Sequence, residues 1–323
     1  MKAWRVEHWC DPDGMTLADL PLPEPGPGQI RVKVAAAALN FLDTLMIAGR
    51  YQVKPPLPFT PGAEVAGIVD AAGPGSRFAP GTPVCASIGT GGYAECAIAD
   101  DDSTAAVPEG FDLAVAATLP IVFPTAHLCL RDAGRLKPGE TVLVTAAAGG
   151  VGLAAIQLAK AWGAKQVIAL AGGDAKLAIC REHGADTLID YNRPDWFDAA
   201  RAAGGAGVDI VVDMVGGQVA EQALRLLAWR GRFVVVGFAG GTIPALPANR
   251  LLLKSASAVG VFWGALSKKE PALAAEIFRD LFGMVAAGSL KPIVTRRYAL
   301  ADAPQAMKAL ASRSTAGKVV LTP

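Results

Sequence analysis

Apolar and polar positions along the chain follow two rhythms, and the change between them falls near residue 119. Before it, short β-branched runs alternate with polar positions. In Gln29-Ile30-Arg31-Val32-Lys33-Val34 the alternation puts Ile30, Val32 and Val34 on one face, and Val65-Ala66-Gly67-Ile68-Val69 and Tyr93-Ala94-Glu95-Cys96-Ala97-Ile98 are strands of similar kind. Turn sequences such as Pro25-Gly26-Pro27-Gly28 and Gly73-Pro74-Gly75 separate them, so residues 1–118 are predicted to form an antiparallel β domain. Beyond that point the strands read as continuous apolar runs: Thr141-Val142-Leu143-Val144-Thr145, Val167-Ile168-Ala169-Leu170, Val208-Asp209-Ile210-Val211-Val212-Asp213 and Gly231-Arg232-Phe233-Val234-Val235-Val236-Gly237. Helical stretches over 151–162, 174–183 and 218–229 alternate with these runs, the signature of an α/β doubly wound parallel sheet over 119–255. After about 255 come the β-type run Ala258-Val259-Gly260-Val261-Phe262-Trp263, an amphipathic helix over 271–287 and a last strand, Ala316-Gly317-Lys318-Val319-Val320-Leu321. That strand does not continue the parallel pattern, so residues 256–323 are expected to return to the N-terminal domain.

Composition narrows the function classes. Of 323 residues, 52% are hydrophobic and 18% charged, and 30 Lys and Arg against 29 Asp and Glu leave a net charge of +1. Disorder and polyanion binding by bulk charge are both excluded on those values, and with no basic run neither DNA nor RNA is an expected partner. The N-terminus, Met1-Lys2-Ala3-Trp4-Arg5-Val6-Glu7, has no apolar stretch after its basic residues, so a secretory signal is not expected and the assignment is cytoplasmic. The uncharged-looking runs 113–130 and 141–159 contain Pro120, Pro124 and His127, and Gly149, Gly150, Gly152 and Gln157, and read as buried α/β core rather than as membrane helix. Five scattered cysteines with no C-x-x-C pair point to reduced, mostly buried thiols.

The strongest local signal is Thr145-Ala146-Ala147-Ala148-Gly149-Gly150-Val151-Gly152, which follows a strand and opens an apolar helix. It fits G-x-G-x-x-G with Ala147, Gly149 and Gly152 in the three places. The middle glycine lets backbone approach a pyrophosphate, the helix N-terminus supplies N–H donors and partial positive charge, and the last glycine permits close helix–sheet packing. Dinucleotide sites specific for NAD place a carboxylate at the end of the second strand. Here that place reads Ala171-Gly172-Gly173-Asp174-Ala175-Lys176, with no acid directly at the strand end. Lys176 is placed to meet a 2′-phosphate or is an ordinary exposed helix lysine, and Asp174 either caps the helix or contacts ribose.

These residues, together with Asn40-Phe41-Leu42-Asp43-Thr44, Tyr51, Pro61-Gly62-Ala63-Glu64-Val65-Ala66-Gly67, Gly184-Ala185-Asp186 with Tyr191, and Gly317-Lys318-Val319-Val320, resemble the zinc-independent quinone oxidoreductases, the ζ-crystallin-like branch of the medium-chain dehydrogenase/reductase superfamily. The resemblance covers essentially the whole chain. It implies a GroES-like β-rich catalytic domain from two chain segments, a Rossmann domain between them, NADPH in the cleft and a homodimer. By that resemblance Asn40 lies at the nicotinamide ribose and Thr125 near the nicotinamide. Gly149, Gly150 and Val151 meet the pyrophosphate, Gly173, Lys176 and Tyr191 surround the adenosine 2′-phosphate, and Phe238 and the Val261-Phe262 backbone flank the nicotinamide. Two positions depart from the family pattern: Gly173 replaces a hydroxyl residue, and Leu45 stands where quinone reductases often carry Tyr.

Zinc alcohol dehydrogenases of the wider superfamily carry Cys and His where this chain carries Asn40 and Ala63, and the four clustered cysteines of a structural zinc lobe are missing, so no metal site is expected. His8, His127 and His183 sit in different elements and read as packing or surface residues. Without a Lewis acid, simple alcohol oxidation gives way to acceptors that delocalise charge themselves, quinones or alkenes conjugated to a carbonyl. Tyr51, Asp43 through water, or solvent are the candidate proton sources, and Glu64 reads as a buried polar anchor. The leading function is an NADPH-dependent quinone oxidoreductase, with NADH the less favoured cofactor. An NADPH-dependent enoyl-CoA or enone (2-alkenal) reductase is the alternative, with Arg250, Lys254, Arg296 and Arg297 the basic residues available to coenzyme A phosphates. A non-catalytic NADPH-bound structural or RNA-binding protein is the alternative of another class.

Overall fold

The computed structural model describes residues 1–323, which divide into two compact units: 1–121 with 267–278 and 292–323, and 122–266 with 279–291. In the first unit the strand Gln29–Ala38 is the hub. Its alternating pattern is realised as predicted, with Ile30, Val32 and Val34 buried on one face. It pairs antiparallel with Glu64–Ala72, with Cys96–Asp100 and with the C-terminal strand Lys318–Thr322. The last strand therefore does return to the N-terminal sheet, where it also pairs in parallel with Val294–Ala299. The core of this unit gathers Ile30, Val32, Leu39, Ile47, Tyr93, Met307 and Leu321.

The second unit carries a six-stranded parallel sheet: β1 (Thr141–Val144), β2 (Gln166–Ala171), β3 (Thr187–Asp190), β4 (Val208–Asp213), β5 (Leu227–Val235) and β6 (Ser257–Gly260). Their spatial order is β3-β2-β1-β4-β5-β6, all parallel. Strands covered on both faces need apolar residues at every position, which is why Val142, Leu143 and Val144 and then Val167 to Leu170 are all buried. The chain direction reverses its walk between β1 and β4, and in open α/β sheets the crevice beyond the strand ends at that point is where ligands bind.

The strand β6 corrects the boundary at 256. It hydrogen-bonds β5 over Arg232↔Ser257 to Val235↔Gly260, so residues 256–266 lie with the parallel sheet and not with the antiparallel unit. The half-exposed pattern of Ser257–Gly260, an edge strand open on one side, hid its membership. Trp263, expected as the end of a β run, instead opens the helix Trp263–Lys269. No helix is long and apolar enough to cross a membrane.

Candidate functional site

The glycine loop folds between β1 and the helix α1 (Gly150–Ala161). Ala146 takes a left-handed φ of 45°, Ala147 N–H donates to Leu170 O at 3.0 Å, and Gly149 N–H donates to Ala146 O at 2.9 Å, which pins the loop over the end of β2. Gly149 is the N-cap of α1 and has no side chain to cover the first turn, so the N–H groups of Gly150, Val151 and Gly152 face outward as donors. A Cβ on Gly152 would lie 2.5 Å from Ala147 O and 2.6 Å from Ala146 O, both backbone atoms. This is a cradle that only glycine permits, and it fits a pyrophosphate approaching a helix N-terminus.

At the end of β2 the chain turns through Gly173 into α2 (Asp174–Glu182). Gly173 has φ 84° and ψ 154°, a region essentially reserved for glycine, so a residue with a side chain would be strained there. β3 runs beside β2, and Tyr191 N–H donates to Ala171 O at 3.3 Å just past its end. A Cβ on Gly172 would lie 2.9 Å from Asn192 Nδ2 and 3.5 Å from the Tyr191 ring. Tyr191 thus lies against Gly172 at the end of β2, and the half-buried Lys176 lies in the first turn of α2, which starts two residues further on. Asp174 is the first residue of that helix and carries no acid to the strand end itself.

Other predicted residues of this unit follow the strands on the far side of the sheet or lie on a separate helix. Phe238 packs beside Gly216, whose added Cβ would meet the Phe238 ring at 3.1 Å. Val261 N–H donates to Val235 O at 2.9 Å, which extends the β5–β6 pairing, and Phe262 stands half-exposed after it. Thr125 is buried on the helix Val122–His127.

Sequence reasoning missed one pair that organises the crevice. Thr145 Oγ1 donates to Asp213 Oδ1 at 2.7 Å and accepts from Met214 N–H at 3.0 Å, while Asp213 accepts from the N–H groups of Val215 at 3.2 Å and Gly216 at 3.0 Å. Both side chains are fully buried and tie the loop after β1 to the loop after β4. Burial pushes the Asp213 carboxyl above its ordinary range, and the Thr145 and backbone donors oppose that shift. The readable signal was an Asp at a strand end followed by Gly216-Gly217, an Asx-type turn.

In the antiparallel unit, Asn40 is the N-cap of the helix Phe41–Ile47. Its N–H donates to Asp43 Oδ2 at 2.8 Å, and Tyr93 Oη donates to the same oxygen at 2.9 Å. Asp43 Oδ1 is buried with no partner. Burial dominates and raises the Asp43 carboxyl to about 7. Because Oδ2 accepts two hydrogen bonds, the proton of the neutral acid sits on Oδ1. Tyr51 packs half-buried against the core of this unit, and its hydroxyl is pushed up first by burial and then by the Asp43 charge, so it stays a donor. Glu64 accepts from Lys318, Asn40 and Ile121 N–H, the anchoring role expected of it.

Two profiles match the chain: "Alcohol dehydrogenase GroES-like domain" over residues 26–109 and "Zinc-binding dehydrogenase" over residues 150–279. The chain is 40% identical over 286 residues to the rat quinone oxidoreductase-like protein 2, covering 88% of this chain and 82% of the relative. It is 35% identical to rat quinone oxidoreductase, covering 99% and 97%. The crystal structure of Escherichia coli quinone oxidoreductase complexed with NADPH superposes with a TM-score of 0.92 at 30% identity, covering 100% of both chains. The chain belongs to the quinone oxidoreductase family of the medium-chain dehydrogenase/reductases. Within that family it has the GroES-like domain and the parallel-sheet Rossmann domain.

The second profile carries zinc in its description, and the donor set here does not fit one. Asn40 and Ala63 offer an amide and a methyl group where the superfamily's zinc members carry Cys and His, and no three His, Cys, Asp or Glu side chains converge in the chain. His127 Nε2 lies 3.0 Å from Asp280 Oδ2, and His183 Nδ1 lies 2.8 Å from Ile179 O, so both serve packing contacts. The basic residues weighed for coenzyme A are largely committed: Lys254 Nζ donates to Arg225 O at 2.9 Å, Arg297 pairs with Asp112 at 2.7 Å, and Arg296 donates to Tyr298 Oη at 3.0 Å.

Proposed function

We propose that this protein is an NADPH-dependent quinone oxidoreductase that works without a metal ion. The observation that carries the reading is the glycine cradle of α1 set beside the Gly172-Gly173 turn after β2, with Tyr191 against Gly172 and Lys176 in the first turn of the helix that follows, one place for a pyrophosphate and one for a 2′-phosphate at the C-terminal end of the same sheet. NADPH supplies a hydride from its nicotinamide ring when bound. The outward N–H groups of Gly150 and Val151 hold the pyrophosphate, and Lys176 and Tyr191 hold the 2′-phosphate. Phe238, Val261, Phe262 and Thr125 border the nicotinamide. A quinone delocalises the incoming charge itself, so the protein has mainly to align the reactants and deliver a proton. Tyr51 offers its hydroxyl hydrogen to the reduced acceptor, and Asp43, acting through water, is the second proton source.

The test follows cofactor absorbance with 1,4-benzoquinone, 9,10-phenanthrenequinone and crotonyl-CoA as acceptors, a chelator being present throughout. Quinone turnover with NADPH is expected. A crotonyl-CoA preference would move the reading to enoyl reduction, and activity lost to the chelator would end the metal-free account. Lys176→Ala is expected to raise the KM for NADPH by about 10- to 100-fold, the loss of one charge-assisted contact, and to leave that for NADH unchanged.

The homodimer is read from the open edge of the parallel sheet. β6 is its outermost strand, and the neighbouring Leu252 and Leu253 are 78% and 70% exposed. A second copy pairing there would cover both the free strand edge and the apolar side chains. Light scattering at micromolar concentration should give twice the chain mass, and Leu252→Glu with Leu253→Glu should halve it. A monomeric parent protein would refute the assignment.

A further inference from the structure

The turn after β2 carries two glycines in succession, and they do different things. Gly173 has a left-handed φ of 84°, and a Cβ built on it meets nothing within 4 Å, so this position is open and brings no donor of its own. Gly172 lies outside the left-handed region. A Cβ built on it would nevertheless lie 2.9 Å from Asn192 Nδ2 and 3.6 Å from Asn192 Cγ, with the Tyr191 ring at 3.5 Å. The carboxamide of Asn192 therefore occupies the place where residue 172 would carry a side chain.

The parallel register accounts for its arrival there. β3 pairs β2 as far as Asp190↔Ala171, and Tyr191 N–H continues the pairing to Ala171 O at 3.3 Å. One step on, Asn192 N–H donates back to Asp190 Oδ1 at 2.9 Å, an Asx-turn that ends the strand beside the glycines. The backbone donor of Asn192 is committed by that bond, and what this exposed residue offers outward is its carboxamide. The next residue, Arg193, commits Nε and Nη2 to Asp195 at 3.1 and 3.3 Å, which leaves the neutral amide to serve the turn. Asp174 opens α2 directly after Gly173, and Asp190 closes β3 opposite Ala171. A phosphate at this turn thus meets carboxylates as well as Lys176, and each N–H aimed at it counts.

We infer that Asn192 is a specificity-determining residue for the cofactor: its Nδ2 donates to the 2′-phosphate of NADPH over the Gly172-Gly173 turn. The inference rests on the reading that this turn takes the 2′-phosphate. An exposed carboxamide turns to suit its partner, and anionic phosphate oxygens, which only accept, select the NH2 end. The bond is charge-assisted and so about twice as strong as a neutral one. NADH has no anionic oxygen to receive it.

Fluorescence of the reduced nicotinamide reports the binding of NADPH and NADH, and 2′,5′-ADP, which carries the adenosine end alone, serves as a displacing ligand. Asn192→Ala is expected to weaken NADPH and 2′,5′-ADP about tenfold, the loss of one hydrogen bond to a charged group, and to leave NADH nearly unchanged. Gly172→Ala reaches the same amide from the other side. Its methyl group displaces Nδ2, the far end of a flexible side chain, and is expected to give the same selective loss with no fall in thermal stability. Joined in one chain, the two substitutions should weaken NADPH no more than Asn192→Ala alone, because the methyl group then has nothing to displace. Parent-level NADPH affinity in Asn192→Ala would overturn the inference, and so would equal weakening of NADPH and NADH, the mark of a merely structural role. Additive losses in the double variant would also overturn it, since the amide would then act from somewhere other than above Gly172. If the parent protein binds NADPH no better than NADH and Lys176→Ala changes neither, the 2′-phosphate reading itself is at fault and the inference falls with it.

Discussion

Replacing Gly152 by alanine is expected to weaken NADPH binding by on the order of 100-fold and to destabilise the fold by about 1–3 kcal/mol. The new Cβ would meet Ala147 O at 2.5 Å, Ala146 O at 2.6 Å and Ala147 C at 2.6 Å. These are backbone atoms of the loop itself, so no flexible side chain can yield. Either α1 must slide away from β1 and β2 or the loop must open. Both movements take the N–H groups of Gly150 and Val151 off the line of the pyrophosphate, where they act together with the helix dipole. Thermal unfolding and a fluorescence titration with NADPH check the two halves of the statement separately. Unchanged affinity would mean that the helix N-terminus does not hold the pyrophosphate.

The second large effect is a pH dependence of stability set by Asp43. Its folded pKa of about 7 lies above the unfolded value near 3.8, so between those limits the folded chain holds a proton that the unfolded chain has released. Stability therefore falls as pH rises from about 4 to about 7 and levels off above that, where both states are ionised. The full span amounts to at most about 4 kcal/mol. The groups facing Asp43 are Tyr93, Asn40, Tyr51, Lys318 and Glu64, of which Lys318 favours the ionised form and Glu64 opposes it. Asp43→Asn retains an acceptor for Asn40 N–H and Tyr93 Oη and cannot ionise. Urea midpoints between pH 4.5 and 8.5 should slope downward in the parent protein, and the slope should be shallower in the variant. Equal slopes would show that Asp43 does not hold a proton in the folded state.

Much of this protein was legible in the linear chain because the relevant physics is local. The period-two pattern of Gln29–Ala38, the unbroken apolar run of Thr141–Val144 and the glycines before α1 each express a constraint that acts within a few residues, and those elements appeared where expected. The spaced motifs likewise carried the family. The edge strand β6 was the exception in the fold, since Ser257–Gly260 is half-exposed and its pattern alone does not distinguish one sheet from another. What only the tertiary structure decided is which polar groups meet inside. Thr145 and Asp213 are 68 positions apart, Asp43 and Tyr93 are 50, and Asn40 and Lys318 are 278. No local spacing ties one member of any of these pairs to the other. Burial changes that, because a polar group removed from water must find a partner wherever the fold provides one, and the partner then fixes its protonation or its orientation.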